Sequence, residues 1–207
     1  MTREFRSRPL AGATATTVKR TTLLLMAAVA AVAVCSSSLM AQDVTALDVA
    51  VTYNATRGGS TPNASFWMQG GSVELQGRFY HGLSVVADIA GAHAANINSS
   101  GVGLDMVTAT FGPRYNWAPP HRRYEIFGQA LAGDANGFHS VFPTSSAAID
   151  SSNSLALKMG GGLSIALSRR MALRAFEVNW LRTQLPNATT NIQNNLIFGA
   201  GLVFRLP

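Results

Sequence analysis

The side chains of this chain that could carry acid, base or nucleophilic chemistry are few. They are four histidines (His81, His93, His121 and His139), one cysteine (Cys35) and a small set of carboxylates. His139 stands beside Ser140, with Asp134 and Asp150 nearby along the chain, and a hydroxyl, an imidazole and a carboxylate are the parts of a hydrolytic triad. Adjacent residues do not readily hydrogen-bond as nucleophile and base, so this grouping predicts no catalytic residue. Metal binding needs ligands that converge, and no two histidines stand at helical or hairpin ligand spacing. The glycines of MGGGL (159–163) are not followed by a helix, as a nucleotide-binding loop would require. The expectation is a protein without catalytic site, metal or cofactor.

What must position these residues is read from the spacing of apolar side chains. From Gln42 onward no three-and-four spacing is sustained, and period-two alternation recurs instead, which predicts strands. Leu47, Val49, Val51 and Tyr53 oppose Asp48, Ala50, Thr52 and Asn54. Val73, Leu75 and Phe79 oppose Ser72, Glu74, Gln76 and Arg78. Leu83, Val85, Ala87 and Ile89 oppose Ser84 and Asp88, and Val107, Phe111, Tyr115 and Trp117 oppose Thr108, Thr110, Arg114 and Asn116. Leu155, Leu157, Met159, Leu163 and Ile165 oppose Lys158, Gly160, Gly162 and Ser164. At the C-terminus Leu196, Phe198, Leu202, Phe204 and Leu206 alternate with Asn195, Gly199, Gly201 and Arg205.

Two further strands are less regular. YEIFGQALAG sets Glu125 and Gln129 on the same side as Phe127 and Leu131, so its facing stays open. ALRAFEVNWL puts Arg174 on the side of Phe176, Val178 and Trp180, so either a bulge shifts the register or Arg174 lies at a wet rim. The total is eight strands. Long links (57–65, 94–103, 134–153 and 183–194) alternate with tight ones at Tyr80 to Gly82, APPHRR and SRR. A meander with its tight turns at one end and its loops at the other predicts an all-β, eight-stranded antiparallel up-and-down barrel.

The ends and the charge say where such a barrel would live. Residues 1–20 carry Arg3, Arg6, Arg8, Lys19 and Arg20 against Glu4, and TTLLLMAAVAAVAV (21–34) follows without a charge. A basic segment before a short apolar run is a secretory signal peptide, expected over residues 1–41 with cleavage after Ala41, leaving 42–207 as the barrel domain. A lipid anchor on Cys35 is the alternative, although Val34 stands where a small residue should. The leader holds five of the sixteen basic residues and one of the ten acidic ones, so the remainder is close to neutral at +2 and offers no stripe for nucleic acid. It has no cysteine and no disulfide.

Which side is greasy decides between a soluble and a membrane barrel. The polar side mixes small residues with a few ions, Glu74, Arg78, Asp88, Arg114, Lys158, Glu177 and Arg205, which suits a cramped lumen of mutually paired charges better than a soluble surface. Beyond the leader there are only one Lys and three Glu. Aromatic residues gather near strand ends as girdles would: Phe79, Tyr115, Trp117 and Phe204 toward the tight turns, and Tyr53, Trp67 and Trp180 toward the loops. In hydrocarbon every amide needs a partner, so the last strand must close on the first. The expected fold is therefore a transmembrane β-barrel.

FGPRYNW, YEIFGQALAG, GGGLSIALSRRMALRAFEVNWLRTQLP and the closing strand resemble the small eight-stranded outer-membrane barrel family typified by the OmpA transmembrane domain and OmpX. They also resemble porin-family barrels of Gram-negative bacteria. The resemblance implies an outer-membrane location, contact with lipid and lipopolysaccharide, and delivery by the barrel assembly machinery. For that machinery Gly201, Phe204 and Leu206 resemble the C-terminal signal, with Leu-Pro in place of the usual terminal Phe. It implies a monomer with a structural or surface-interaction role, whose segment from Asp134 to Asn153 would meet an extracellular partner. Three other readings stand beside it: a narrow porin-like channel, a lipid A-modifying enzyme and a soluble periplasmic carrier.

Overall fold

The computed structural model describes residues 46–61, 64–97, 103–143, 148–186 and 191–206, all within one compact unit, Val44–Pro207. The expected signal peptide over residues 1–41, with Cys35, lies outside the described residues. Eight strands follow in order: β1 (Ala46–Thr61), β2 (Ala64–Tyr80), β3 (Leu83–Ala94), β4 (Leu104–Trp117), β5 (Tyr124–Pro143), β6 (Ala148–Ala166), β7 (Met171–Thr183) and β8 (Gln193–Leu206). Each pairs antiparallel with the next, and β8 returns to β1 from Leu47↔Leu206 to Gly59↔Asn194, so the sheet is a closed barrel without edges along that seam.

Following partners once around the wall fixes its geometry. Asp105 pairs His93, and the row continues through Gln69, Ala55, Phe198, Val178, Gly161 and Gly128 to Tyr115, back on β4 but ten residues further along. A shear of ten over eight strands tilts them by about 40°, taking 3.3 Å per residue and 4.8 Å between strands. That is the regime in which side chains can fill the interior.

Alternation assigns the two faces. Phe111, Ile89, Tyr53 and Phe176 are more than half exposed on the outer wall, while Glu74, Asp88, Arg114 and Lys158 are at most 2 % exposed inside. Water would favour the reverse, so this distribution suits a barrel surrounded by hydrocarbon. Phe111 stands midway along the wall. Phe111→Arg should lower the stability of the barrel in lipid vesicles by about 2–4 kcal/mol, read from the urea midpoint of intrinsic fluorescence. Tyr124→Arg, at the tight-turn end, should cost much less.

The strands are longer than their alternation predicts. β1 and β2 turn most of segment 57–65 into ladder. The segment from Asp134 to Asn153, expected as an open loop, is mostly the upper part of the β5–β6 hairpin. β5 loses its β4 partner above Phe138 and β6 loses its β7 partner above Ala156, so the hairpin projects beyond its neighbours. Above the greasy belt neither face of a strand has to be apolar, so the period-two signal fades while the backbone ladder continues.

Candidate functional site

The lumen is built in tiers. At the tight-turn end Arg78 binds Asp48 from Nε (2.9 Å) and Nη2 (2.7 Å), and lays its other fork on Glu125 (2.8 and 2.9 Å). Arg205 lies 3.9 Å from Glu125. Above this, Glu74 receives two guanidinium groups. Arg114 donates to it through both Nη atoms, Nη1 at 2.6 Å, and Arg174 donates through Nη2 at 2.8 Å while giving Nη1 to Glu177 at 2.8 Å. Gln129 accepts from Arg114 and donates to Glu177 (3.1 Å) and Asn179 (2.9 Å). Higher still, Lys158 Nζ donates to Asp88 at 3.0 Å. Every one of these ions would cost several kcal/mol to desolvate alone, so the tiers are stable only as interlocked sets.

All seven lumen ions named from the sequence therefore lie inside the wall, each with an opposite charge. Five members were not among them: Asp48, Glu125, Gln129, Arg174 and Asn179. The register shifts between Leu163 and Ser164 and between Arg174 and Glu177, which turns Arg174 inward, 2 % exposed, so the bulge and not the wet rim explains its place in the pattern. Glu125, Phe127, Gln129 and Leu131 all face inward as well. Both guanidinium groups lie over the Phe127 ring, Arg114 at 4.2 Å and Arg174 at 4.8 Å from its centroid. An aromatic residue on a polar face is the signal in the sequence that marks this stack.

At the loop end the lumen changes character. Phe66, Met68, Leu104, Met106, Leu181, Leu185, Ile197 and their neighbours form a buried apolar cluster on the inner face. Sequence alternation assigned none of these positions to a core, because several adjoin outward apolar residues, as Phe66 and Met68 flank Trp67 and Ile197 stands between Leu196 and Phe198, so a period of two does not set them apart. They pack together on the loop side of the ion tiers.

On the outer wall Trp67 and Trp180 lie near the loop ends, while Tyr115, Trp117 and Phe204 lie toward the tight turns, all at least a third exposed. Tyr53, expected near the loops, sits midway along β1, opposite Gly71 and Ala200. Phe79 falls inside the irregularity between Arg78 and Tyr80, half-buried, and Tyr80 takes the outward position beside it. In β8, Gly201 pairs Thr52 and Arg174, Phe204 pairs Val49 and Met171, and Leu206 pairs Leu47.

The acid–base candidates are also placed. His139 is not partnered by Asp134 or Asp150. Its Nδ1 lies 2.6 Å from Oδ2 of Asp105, whose Oδ1 is 2.5 Å from Nδ1 of His93. Strand pairing, which sequence distance conceals, brings the three together. His139 has a positive φ of 54° at the bulge where the β5–β6 register shifts between Phe138 and Phe142. Among the described residues no hydrogen bond joins a histidine to a serine hydroxyl, and no group of His, Cys, Asp and Glu is arranged to hold a metal.

No protein-family model and no curated protein sequence matches the chain. Its fold is matched by solved structures. Neisserial surface protein A is 12% identical over 76% of this chain and 96% of its own, with a TM-score of 0.59. The attachment invasion locus protein Ail of Yersinia pestis is 13% identical over 78% of this chain and 98% of its own, with a TM-score of 0.50. In complex with the heparin analogue sucrose octasulfate it scores 0.52 at the same coverage. At these identities the likeness is one of fold, the closed eight-stranded antiparallel barrel of small outer-membrane proteins.

Proposed function

We propose that this chain, with the fold of small outer-membrane barrels, is exported by its N-terminal leader and inserted as a monomer into the outer membrane. There it serves as a non-enzymatic, structural or surface-interaction protein. The observation that carries the reading is the filled lumen: three tiers of ion pairs beneath an apolar cluster leave a small barrel nothing to conduct through. What faces outward is the loop-end rim, where among the described residues the β5–β6 hairpin projects beyond its neighbours. Lipid and lipopolysaccharide contact the wall, and the assembly machinery reads β8 through Gly201, Phe204 and Leu206.

Two measurements test this reading. The folded protein should migrate differently on a detergent gel boiled and unboiled, and in a planar bilayer it should give no steady conductance. A stable conductance altered by Glu74→Ala would put the channel reading in its place. For topology, Val141 and Arg169 are both exposed, at the hairpin and at a tight turn respectively. A membrane-impermeant maleimide should label Val141→Cys on intact cells and reach Arg169→Cys only after the envelope is broken. The opposite labelling overturns the orientation.

A further inference from the structure

Asp105 is the second residue of β4, above Val107, the last apolar residue of that strand on the outer wall. It therefore stands at the level of the headgroups rather than of the acyl chains. Its side chain is 23 % exposed between two rings that are far more open, His93 at 66 % and His139 at 77 %. Each ring turns Nδ1 to a different oxygen of the one carboxylate. Nδ1 and Nε2 lie across the imidazole from one another, so both Nε2 atoms are directed away from the carboxylate.

We propose that His93, Asp105 and His139 form a proton-gated binding site for a phosphate monoester on the outer wall, at the membrane surface. With both rings neutral the cluster carries a charge of −1, from Asp105. With both protonated it carries +1 and presents two Nε2–H donors, so its attraction for an anion rises as the rings gain protons. The His139 hydrogen bond first, then that from His93, holds the Asp105 carboxyl below its ordinary value.

The surroundings do not cancel the change. On β2 the partner of His93 is the neutral Gln69, and on β4 the next outward residue is Val107. β5 adds Asn136 and, five residues before His139, Asp134; at about 16 Å along a strand that charge is beyond the screening length. On β6 Ser151 and Asn153 share the outer face, and Asp150, exposed and opposite the bulge that carries His139, adds a constant negative charge that the gain of two protons has to overcome. The strained backbone of His139 is a further sign that the ring is brought to Asp105 by the fold. The phosphate could belong to a lipid headgroup or to a soluble ligand, and the chemistry is the same.

The proposal rests on the membrane reading for its position, but its test does not. Histidine-labelled protein folded in octyl glucoside, which contains no phosphate, is titrated with inorganic phosphate at about pH 5.5 and 7.5, and the ring resonances are followed by NMR. His93 and His139 should shift saturably at the lower pH, with apparent affinity roughly tenfold or more above that at the higher pH. His81, stacked on Tyr80 at the opposite end, is the control. His93→Gln and His139→Gln should each flatten the pH dependence. Equal binding at both pH values, no saturable shift, or unchanged behaviour in both variants would overturn the site. Micelles doped with lipid A or its dephosphorylated form separate the sources. Rings already shifted by lipid A assign the phosphate to lipid, and rings that shift only on adding inorganic phosphate assign it to a soluble ligand. An unboiled folded band from each sample distinguishes a barrel that does not bind from a chain that never formed one.

Discussion

Glu74→Ala should destabilise the barrel by about 3–5 kcal/mol, measured as a drop in the urea midpoint of folding into lipid vesicles. Glu74 is the carboxylate on which two buried guanidinium groups converge, Arg114 from β4 and Arg174 from β7, so the contact spans the lumen. Its loss leaves Arg114 with only the neutral Gln76 and Gln129, and Arg174 with Glu177 alone. An unpaired buried cation costs far more than the pair contributes net, which sets the size of the effect. Combining Glu74→Ala with Arg114→Met should therefore cost less than the two changes added together, because the second removes the charge that the first strands. Additive costs would mean that the two residues do not share the lumen as described. Lys158→Met with Asp88→Leu, which empties a whole tier of charge, should be milder than either single change.

The contrast between these tiers and the rest of the molecule explains what the sequence discloses. Where a strand has lipid on one side and a cramped polar interior on the other, the two faces need different chemistry. Val107, Phe111, Tyr115 and Trp117 against Thr108, Thr110, Arg114 and Asn116 make the facing of β4 legible directly. The same logic gives eight strands, antiparallel order, closure and the inward ions. It fails where its premise fails. Above the belt, residues such as Gly137, Ser140 and Ser151 meet no lipid, so the upper hairpin reads as loop although its ladder continues. Phe66, Leu104 and Met106 pack together on the loop side of the ion tiers, and their facing follows from register alone. Arg174 breaks a strict period of two, which leaves a bulge and a wet rim as alternatives, and only the register of β7 against its neighbours decides for the bulge. The His93–Asp105–His139 cluster joins three strands, and pairing across strands is invisible to local spacing.

The glycines of β6 give the most severe test of how tightly the lumen is packed, since Gly162→Val should abolish the folded barrel. Gly162 points inward between β5 and β7, opposite Phe127 and Glu177. A Cβ there would press on the carbonyl oxygen of Phe176 and come within 2.9 Å of Phe127 Cζ and 3.0 Å of Glu177 Cα. Two of those three atoms belong to backbone, so no rotamer change relieves the overlap. The third belongs to the ring over which Arg114 and Arg174 lie, so moving it disturbs both guanidinium groups and, through them, Glu74. Overpacking in an ordinary core costs about 1–3 kcal/mol, and here a branched side chain adds the loss of the central ion tier to that cost. The unboiled sample on a detergent gel should then lack the folded band. Gly91→Ala is the matched control, because a Cβ at Gly91 meets nothing within 4 Å, and it should leave that band and the urea midpoint unchanged. A folded band of normal intensity for Gly162→Val would mean that the lumen has room to spare. It would also remove the packing argument on which the closed, ion-filled interior depends.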